Sequence, residues 1–299
     1  VTAQLIDGRR IAAEVRREIA LEVAFLKASG VTPGLAVLLV GSDPASEIYV
    51  RNKEHASREV GILTEVHRLG PDISQAELLS TVGALNMDER IHGILVQLPL
   101  PAHIDEATVI EAVSPTKDVD GFHPTNLGRL TIGDPRFIPA TPYAVLEMLD
   151  RHGVQMGGKH AVIVGRSNIV GKPMALAWMH RDRERYPTVT VCHSFDPNVG
   201  IYTSQADVLV VAIGSPRVIK HDDVKPGAVI IDIGINRVNA PDDPRGYRVV
   251  GDVDFDDVAD VASAITPVPG GVGPMTVAML LKNVAQSARL SYERNGHGR

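Results

Sequence analysis

Residues 160–173 read HAVIVGRSNIVGKP. An apolar run of strand length ends at Gly165, and Gly171 with Pro173 opens an apolar, helix-like run. This is the strand–turn–helix setting in which backbone N–H groups at a helix start cradle a phosphate. The spacing is G-x5-G rather than G-x-G-x-x-G, so the stretch alone suits either a dinucleotide site or a plain strand-to-helix turn. Arg166 and Ser167 put a guanidinium and a hydroxyl within reach of such a phosphate. TVTVC (188–192), ADVLVVAIG (206–214) and AVIIDIG (228–234) then read as further short buried strands, separated by helical or loop segments. Continuous apolar strands of this kind form parallel sheets covered on both faces, here of Rossmann type. The end of the next strand usually carries an acid that grips the ribose in NAD enzymes. Here it reads Cys192-His193-Ser194, which favours NADP with Arg166, Ser167 and Ser194 near its extra phosphate. Asp196 either opposes that phosphate or begins the turn DPN (196–198).

Working outward, residues 9–28 carry an amphipathic helical pattern ended by Gly30 and Pro33. LAVLLVG (35–41) is a buried strand. Asp43 is an N-cap with Pro44 at the first helical position, and the helix runs to Val60 with Gly61 as its stop. A helix is predicted over 75–87, a second buried strand over 93–97, and a helix over 142–152 closed by Gly153. A final helix over 275–290 is predicted to return to the N-terminal domain, and the tail RNGHGR (294–299) to be disordered. The fold class is α/β with two lobes joined by two long helices, the active-site cleft lying between them. Residues 1–141 with 275–299 form an N-terminal three-layer α/β substrate domain, and 142–274 a Rossmann-type NADP-binding domain.

Composition narrows the possible functions. The 299 residues suffice for two domains, and 44% hydrophobic content supplies real cores. No apolar run reaches the roughly 18–20 residues of a membrane span, and no leader pattern precedes the first helix. A lone Cys192 excludes an internal disulfide and suits a reducing, cytoplasmic setting. A net charge of −6 gives no nucleic-acid footprint. The histidines show no HExxH or paired metal spacing, so no metal is expected. Arg outnumbers Lys by 22 to 8, so a Lys can mark a place where Arg would not serve.

Tyr49 and Lys53 share one helix face four residues apart, and Gln97 ends a strand. Ligands in open α/β sheets bind beyond the carboxyl ends of strands, so the three can converge. A desolvated lysine gives up its proton readily and acts as a base, whereas Arg does not. An amide such as Gln97 orients that nitrogen without adding charge, and a phenol such as Tyr49 stacks on a flat ring. A solvated helix Lys is the plainer alternative. PTKDVDG (115–121) reads as an Asp-Gly turn, or as an extended segment in which Asp118 and Asp120 point the same way. In the latter, Asp120 could accept two hydrogen bonds from an aminopyrimidinone ring. ITPVPGGVGPMT (265–276) has a shape dictated by its Pro and Gly residues.

YVRNK (49–53), GILVQLPLP (93–101), KDVDGFHP (117–124), GRSNIVGKP (165–173) and ITPVPGGVGPMT together resemble, in order, the blocks of the bifunctional methylenetetrahydrofolate dehydrogenase/cyclohydrolase family. The resemblance implies a one-carbon folate enzyme of purine biosynthesis with NADP as cofactor and Lys53 as the water-activating base. Gln97 would support Lys53, Tyr49 would stack near the folate and Asp120 would hold the pterin. Further folate contacts would come from Leu98, Pro269, Gly270, Gly273 and Pro274. Cofactor contacts would come from Gly165, Arg166, Ser167, Ile169, Ser194, Ile235 and Thr276. A homodimer through the Rossmann lobes is also implied. Three rivals stay open: a related two-lobe dehydrogenase of an amino or shikimate-like acid, a non-catalytic nucleotide sensor, and a family member that keeps one activity only, against which the presence of both constellations argues.

Overall fold

The computed structural model describes residues 3–179 and 187–294. The tail beyond Arg294, for which disorder was expected, lies outside the described residues. The chain divides into two compact units, one of Val1–Ala12, Leu130–Gly133 and Thr141–Thr276, the other of Ala13–Arg129, Asp134–Ala140 and Val277–Arg299.

The second unit holds a three-stranded parallel sheet in the order β3-β2-β4, from β2 (Gly34–Val40), β3 (Leu63–Leu69) and β4 (Gly93–Val96). Every residue of β2 is buried, as a central strand under helices on both faces requires. β3 (LTEVHRL) is an edge strand with charged, half-exposed positions, which is why no apolar run announced it. The helices of this unit are most of α1 (Gly8–Ala28), then α2 (Pro44–Val60), α3 (Gln75–Met87), α4 (Glu106–Ala112) and most of α5 (Pro124–Thr131). Ser74 and Glu77 close a capping box that starts α3. Leu78, Val82 and Leu85 of α3 pack with Ala36, Leu38, Ile94 and Val96 of the sheet in one core. Each fully buried Leu, Val or Ile among them contributes about 1.5–3 kcal/mol by leaving water.

The first unit carries α6 (Ala140–Arg151), β5 (His160–Val164), α7 (Gly171–Trp178), β6 (Thr188–Cys192), α8 (Val199–Thr203), β7 (Val208–Val211) and β8 (Val229–Asp232). A hairpin β9 (Asn236–Asn239) and β10 (Tyr247–Val250) follows, then α9 (Phe255–Val258), β11 (Ala264–Ile265) and the start of α10 (Val272–Tyr292), which from Val277 on lies in the other unit. Its six-stranded sheet is parallel throughout, in the order β1-β11-β8-β7-β5-β6, where β1 is Gln4–Leu5.

The described start of the chain, residues 3–12, clusters with the unit of the six-stranded sheet, whereas the sequence reading placed it in the substrate domain. Gln4 and Leu5 pair with Ala264 and Ile265, and the Ile6 N–H donates to the Ile265 carbonyl at 2.9 Å. A two-residue strand leaves no periodicity to read. The last helix from Val277 onward clusters with the unit of the three-stranded sheet. Buried Asn283 donates from Nδ2 to the carbonyls of Val119 (2.8 Å) and Ile138 (3.0 Å), and Ser287 Oγ donates to His92 O (2.7 Å).

Candidate functional site

α2 starts and stops where its caps dictate. The Asp43 carboxylate accepts from Ser46 N–H at 2.7 Å, Pro44 occupies the first turn, and Gly61 ends the helix at φ 82°. With both ends set, Tyr49 and Lys53 stand one turn apart. Gln97 follows β4, and its own N–H donates to Leu38 O at 2.9 Å. Lys53 Nζ donates to Gln97 Oε1 at 3.0 Å, and Gln97 Nε2 donates to Leu98 O at 2.7 Å. The second bond leaves the amide oxygen as the end that meets the lysine. Burial pushes the Lys53 pKa down from its ordinary value, against an opposing pull from the Asp120 carboxylate. Burial likewise pushes Asp120 up to about 6, with Lys53 lowering it and Asp118 raising it further. Lys53 thus hydrogen-bonds Gln97 and interacts electrostatically with Asp120, and Tyr49 is 39% exposed.

Asp118 does not stand beside Asp120 in an extended segment. Residues 115–123 make turns, touching the sheet at an isolated bridge between Ile94 and Asp118. The buried Asp118 carboxylate accepts from His123 N–H (2.9 Å), Phe122 N–H (3.3 Å) and Asn126 Nδ2 (2.8 Å). It shapes the turn that carries Asp120. Asn126 and Asn283 brace this segment, and sequence reasoning missed both. The available signal was an amide inside a mostly apolar helical run, as at 278–285.

The turn after β5 is built by close approach. A Cβ on Gly165, whose φ is 135°, would sit 2.4 Å from Ala212 O, and one on Gly171 would sit 2.0 Å from Gly165 O. Only glycine fits at either place. Arg166, Ser167 and Ile169 are exposed. Ser167 Oγ also accepts from Val170 N–H (3.1 Å) and Gly171 N–H (3.4 Å), so it helps start α7. The Gly165 N–H donates to Cys192 O at 2.9 Å, which brings the carboxyl end of β6 next to this turn. Ser194, just beyond that end, is exposed. Asp196 Oδ1 accepts from Asn198 N–H at 2.9 Å, so this acid begins the DPN turn. A tight glycine turn, an exposed guanidinium and a neighbouring strand end without an acid together fit a phosphorylated dinucleotide.

The loop 266–271 is held by the N-terminus. Arg9 N–H donates to Gly270 O at 3.1 Å, and a Cβ on Gly8 would meet Gly271 O at 1.8 Å. Gly270 takes φ 113°. Helix α10 begins at Val272, earlier than expected, so Gly273, Pro274 and Thr276 lie in its first turns, where Pro is tolerated. Thr276 Oγ1 donates to Gly273 O at 2.7 Å. Ile235 is 51% exposed. Sequence reasoning also missed Gly8 and two buried carboxylates, Asp232 and Asp252. Asp232 lines a cavity of about 300 Å³ with Arg217, Phe255 and Pro267. Among the described residues no group of three or more His, Cys, Asp or Glu could hold a metal ion. No described helix is long and apolar enough to cross a membrane.

A dinucleotide-type turn on a parallel sheet in one unit, and a desolvated lysine held by a carboxamide in the other, define a two-unit α/β enzyme with two chemistries. Residues 6–120 match the catalytic-domain model of tetrahydrofolate dehydrogenase/cyclohydrolase, and residues 139–292 match its NAD(P)-binding-domain model. The chain belongs to that family. It is 55% identical over 287 residues to the bifunctional protein FolD of Moorella thermoacetica, covering 96% of this chain and 99% of that one. The crystal structure of the bifunctional FolD from Campylobacter jejuni superposes with a TM-score of 0.91 at 45% identity, covering 97% and 99% of the two chains. The FolD of Trypanosoma brucei, complexed with NADP cofactor and an inhibitor, gives 0.92 at 39% identity with the same coverage.

Proposed function

We propose that this chain oxidises 5,10-methylenetetrahydrofolate to 5,10-methenyltetrahydrofolate with NADP, then hydrolyses the product to 10-formyltetrahydrofolate with Lys53 as the water-activating base. Family membership supports both activities. The observation that carries the role of Lys53 is its 3.0 Å bond to Gln97 together with its lowered pKa.

The bound nicotinamide supplies a hydride acceptor. Loss of hydride from the one-carbon unit is driven by the two flanking nitrogen lone pairs, so no proton need be removed in that step. What the chain must supply is placement within about 3–3.5 Å. Gly165, Arg166, Ser167, Ile169 and Ser194 would hold the phosphate-bearing half of the cofactor, and Ile235 and Thr276 its nicotinamide half. The second step forms a C–O bond from water to the methenyl carbon and then, as the hydroxyl proton passes to N5, breaks the C–N5 bond and leaves the formyl group on N10. Lys53 as the neutral amine takes the water proton, Gln97 orients it and Asp120 tunes its charge. Tyr49 would stack on the folate, Asp120 would also hold the pterin, and Leu98, Pro269, Gly270, Gly273 and Pro274 would line the rest.

The reading includes a cytoplasmic homodimer formed through the six-stranded-sheet units. β6 ends the sheet order, and exposed Val191, Phe195, Ile201 and Tyr202 on or just after it support a partner there. Sedimentation of the purified chain checks the dimer. The activity test follows cofactor reduction with methylenetetrahydrofolate under NADP and NAD in parallel, and methenyl absorbance alone. NADP reduction with accelerated methenyl loss supports the reading. Silence in both assays overturns it and favours an amino- or shikimate-type dehydrogenase.

A further inference from the structure

We infer that Asp252 is a positioning residue for hydride transfer, a buried carboxylate that ties the loops following β7 and β8 into one rigid floor beneath the nicotinamide. This rests on the dehydrogenase reading above and adds a residue that reading does not use.

Asp252 is 0% exposed. Its Oδ2 accepts from Ile213 N–H at 2.6 Å and Gly214 N–H at 2.9 Å, and its Oδ1 from Ser215 N–H at 3.0 Å and Asn236 Nδ2 at 2.8 Å. Four donors therefore meet one carboxylate, three of them consecutive backbone amides. Those amides follow β7, whereas Asn236 comes after β8, the next strand in the sheet. Post-strand loops on neighbouring parallel strands do not share backbone hydrogen bonds of the sheet, so a side chain from a third segment joins them here.

That third segment is itself anchored. Asp252 N–H donates to Asp232 Oδ1 at 3.0 Å, Val253 N–H to Asp232 Oδ2 at 2.9 Å, and Gly234 N–H to Asp232 Oδ1 at 2.9 Å. Asp232 is the last residue of β8, and its own N–H donates to Thr266 Oγ1 at 2.8 Å. The two carboxylates thus interlock the segments 213–215, 232–236 and 251–253. The packing allows no side chain between them: a Cβ on Gly234 would lie 2.2 Å from Asp252 Oδ1, and one on Gly251 would lie 1.8 Å from Asp232 Oδ2. Ile235, held between Gly234 and Asn236, is 51% exposed at the carboxyl edge of the sheet, where dinucleotides bind.

The functional consequence is selective. Hydride transfer depends on sub-ångström placement of the ring, and a misplacement of about 1 Å can cost roughly 10²-fold in rate. The phosphate-bearing half of the cofactor is gripped by a different turn, at 165–171. Hydrolysis depends on Lys53 and Gln97, which belong to the other unit. In Asp252→Asn the amide NH₂ faces donors instead of accepting from them, which loosens the loops without emptying the site.

The test compares parent and Asp252→Asn by NADP reduction, by methenyl hydrolysis on the same preparation, and by the primary deuterium isotope effect with substrate deuterated at the one-carbon unit. The expected result is a fall in dehydrogenase kcat of about 10²-fold with KM for NADP changed less than about 3-fold. Hydrolysis should stay within about twofold and the isotope effect should rise, because hydride transfer has become limiting. A dehydrogenase kcat equal to the parent's overturns the inference. So does an equal loss of both activities with an unchanged isotope effect, which means only that less protein is folded. If Asp252→Asn does not fold, Asn236→Ala removes one of the four donors and is judged by the same criteria. A parent enzyme that reduces no NADP with methylenetetrahydrofolate fails the dehydrogenase reading instead.

Discussion

Lys53 Nζ and Gln97 Oε1 lie 3.0 Å apart, although 44 residues separate them in the chain. Lys53 comes from the interior of α2 and Gln97 from the end of β4, and both elements pack on β2. The contact gives the lysine one orienting partner while burial favours its neutral form.

Lys53→Met is expected to abolish hydrolysis and spare part of hydride transfer. A general base is worth about 10²–10⁴-fold, so methenyl hydrolysis should fall by that order. Stopped-flow loss of methenyl absorbance measures it. Hydrolysis at the parent rate would remove Lys53 from the mechanism.

Asp120→Asn should move the rising alkaline limb of the hydrolysis profile to lower pH. The base must be neutral, and its activity appears as pH climbs through the lysine pKa. The Asp120 carboxylate holds that pKa up against burial, so removing its charge lets it fall further. In the parent, Asp120 itself titrates near pH 6, so the effect should be largest above that value. A kcat–pH series on both proteins decides this, and a limb that stays put or rises contradicts the coupling.

Arg166→Ala should raise KM for NADP by about tenfold or more, the size of one lost charge-assisted hydrogen bond, while changing KM for NAD little. Equal changes for both cofactors would mean that Arg166 does not read the extra phosphate.

Asn283→Ala should destabilise the fold by about 1–3 kcal/mol, because it strands two buried carbonyls, those of Val119 and Ile138. Thermal unfolding reports the cost, and hydrolysis should weaken as well, since Val119 adjoins Asp120. A melting midpoint equal to the parent's would show that these bonds carry no weight.

Most elements could be read directly where local chemistry is strong. The bounds of α2 were predicted from Asp43, Pro44 and Gly61, and those of α3 and the strands β2, β4, β5 and β6 to within a residue or so. β3 was missed because an edge strand need not be apolar, and β1 because two residues carry no pattern. Residues 115–121 stayed open between a turn and an extended segment, and the turn is what forms, with Asn126 Nδ2 donating to the Asp118 carboxylate from eight residues on.

The sequence by itself determined the α/β class, the glycine turn at 165–171, the family, and the residue types of the lysine centre. These rest on short-range rules: caps, apolar runs, and positions where only glycine or proline fits. The tertiary structure alone decided that Lys53 meets Gln97, that Gln4 and Leu5 add an edge strand to the six-stranded sheet, and that Asp252 gathers donors from the segments after two strands. The physical reason is that such contacts depend on strand order and loop path. Those are set by the collective burial of apolar surface and the pairing of every buried polar group, which no local stretch of chain encodes.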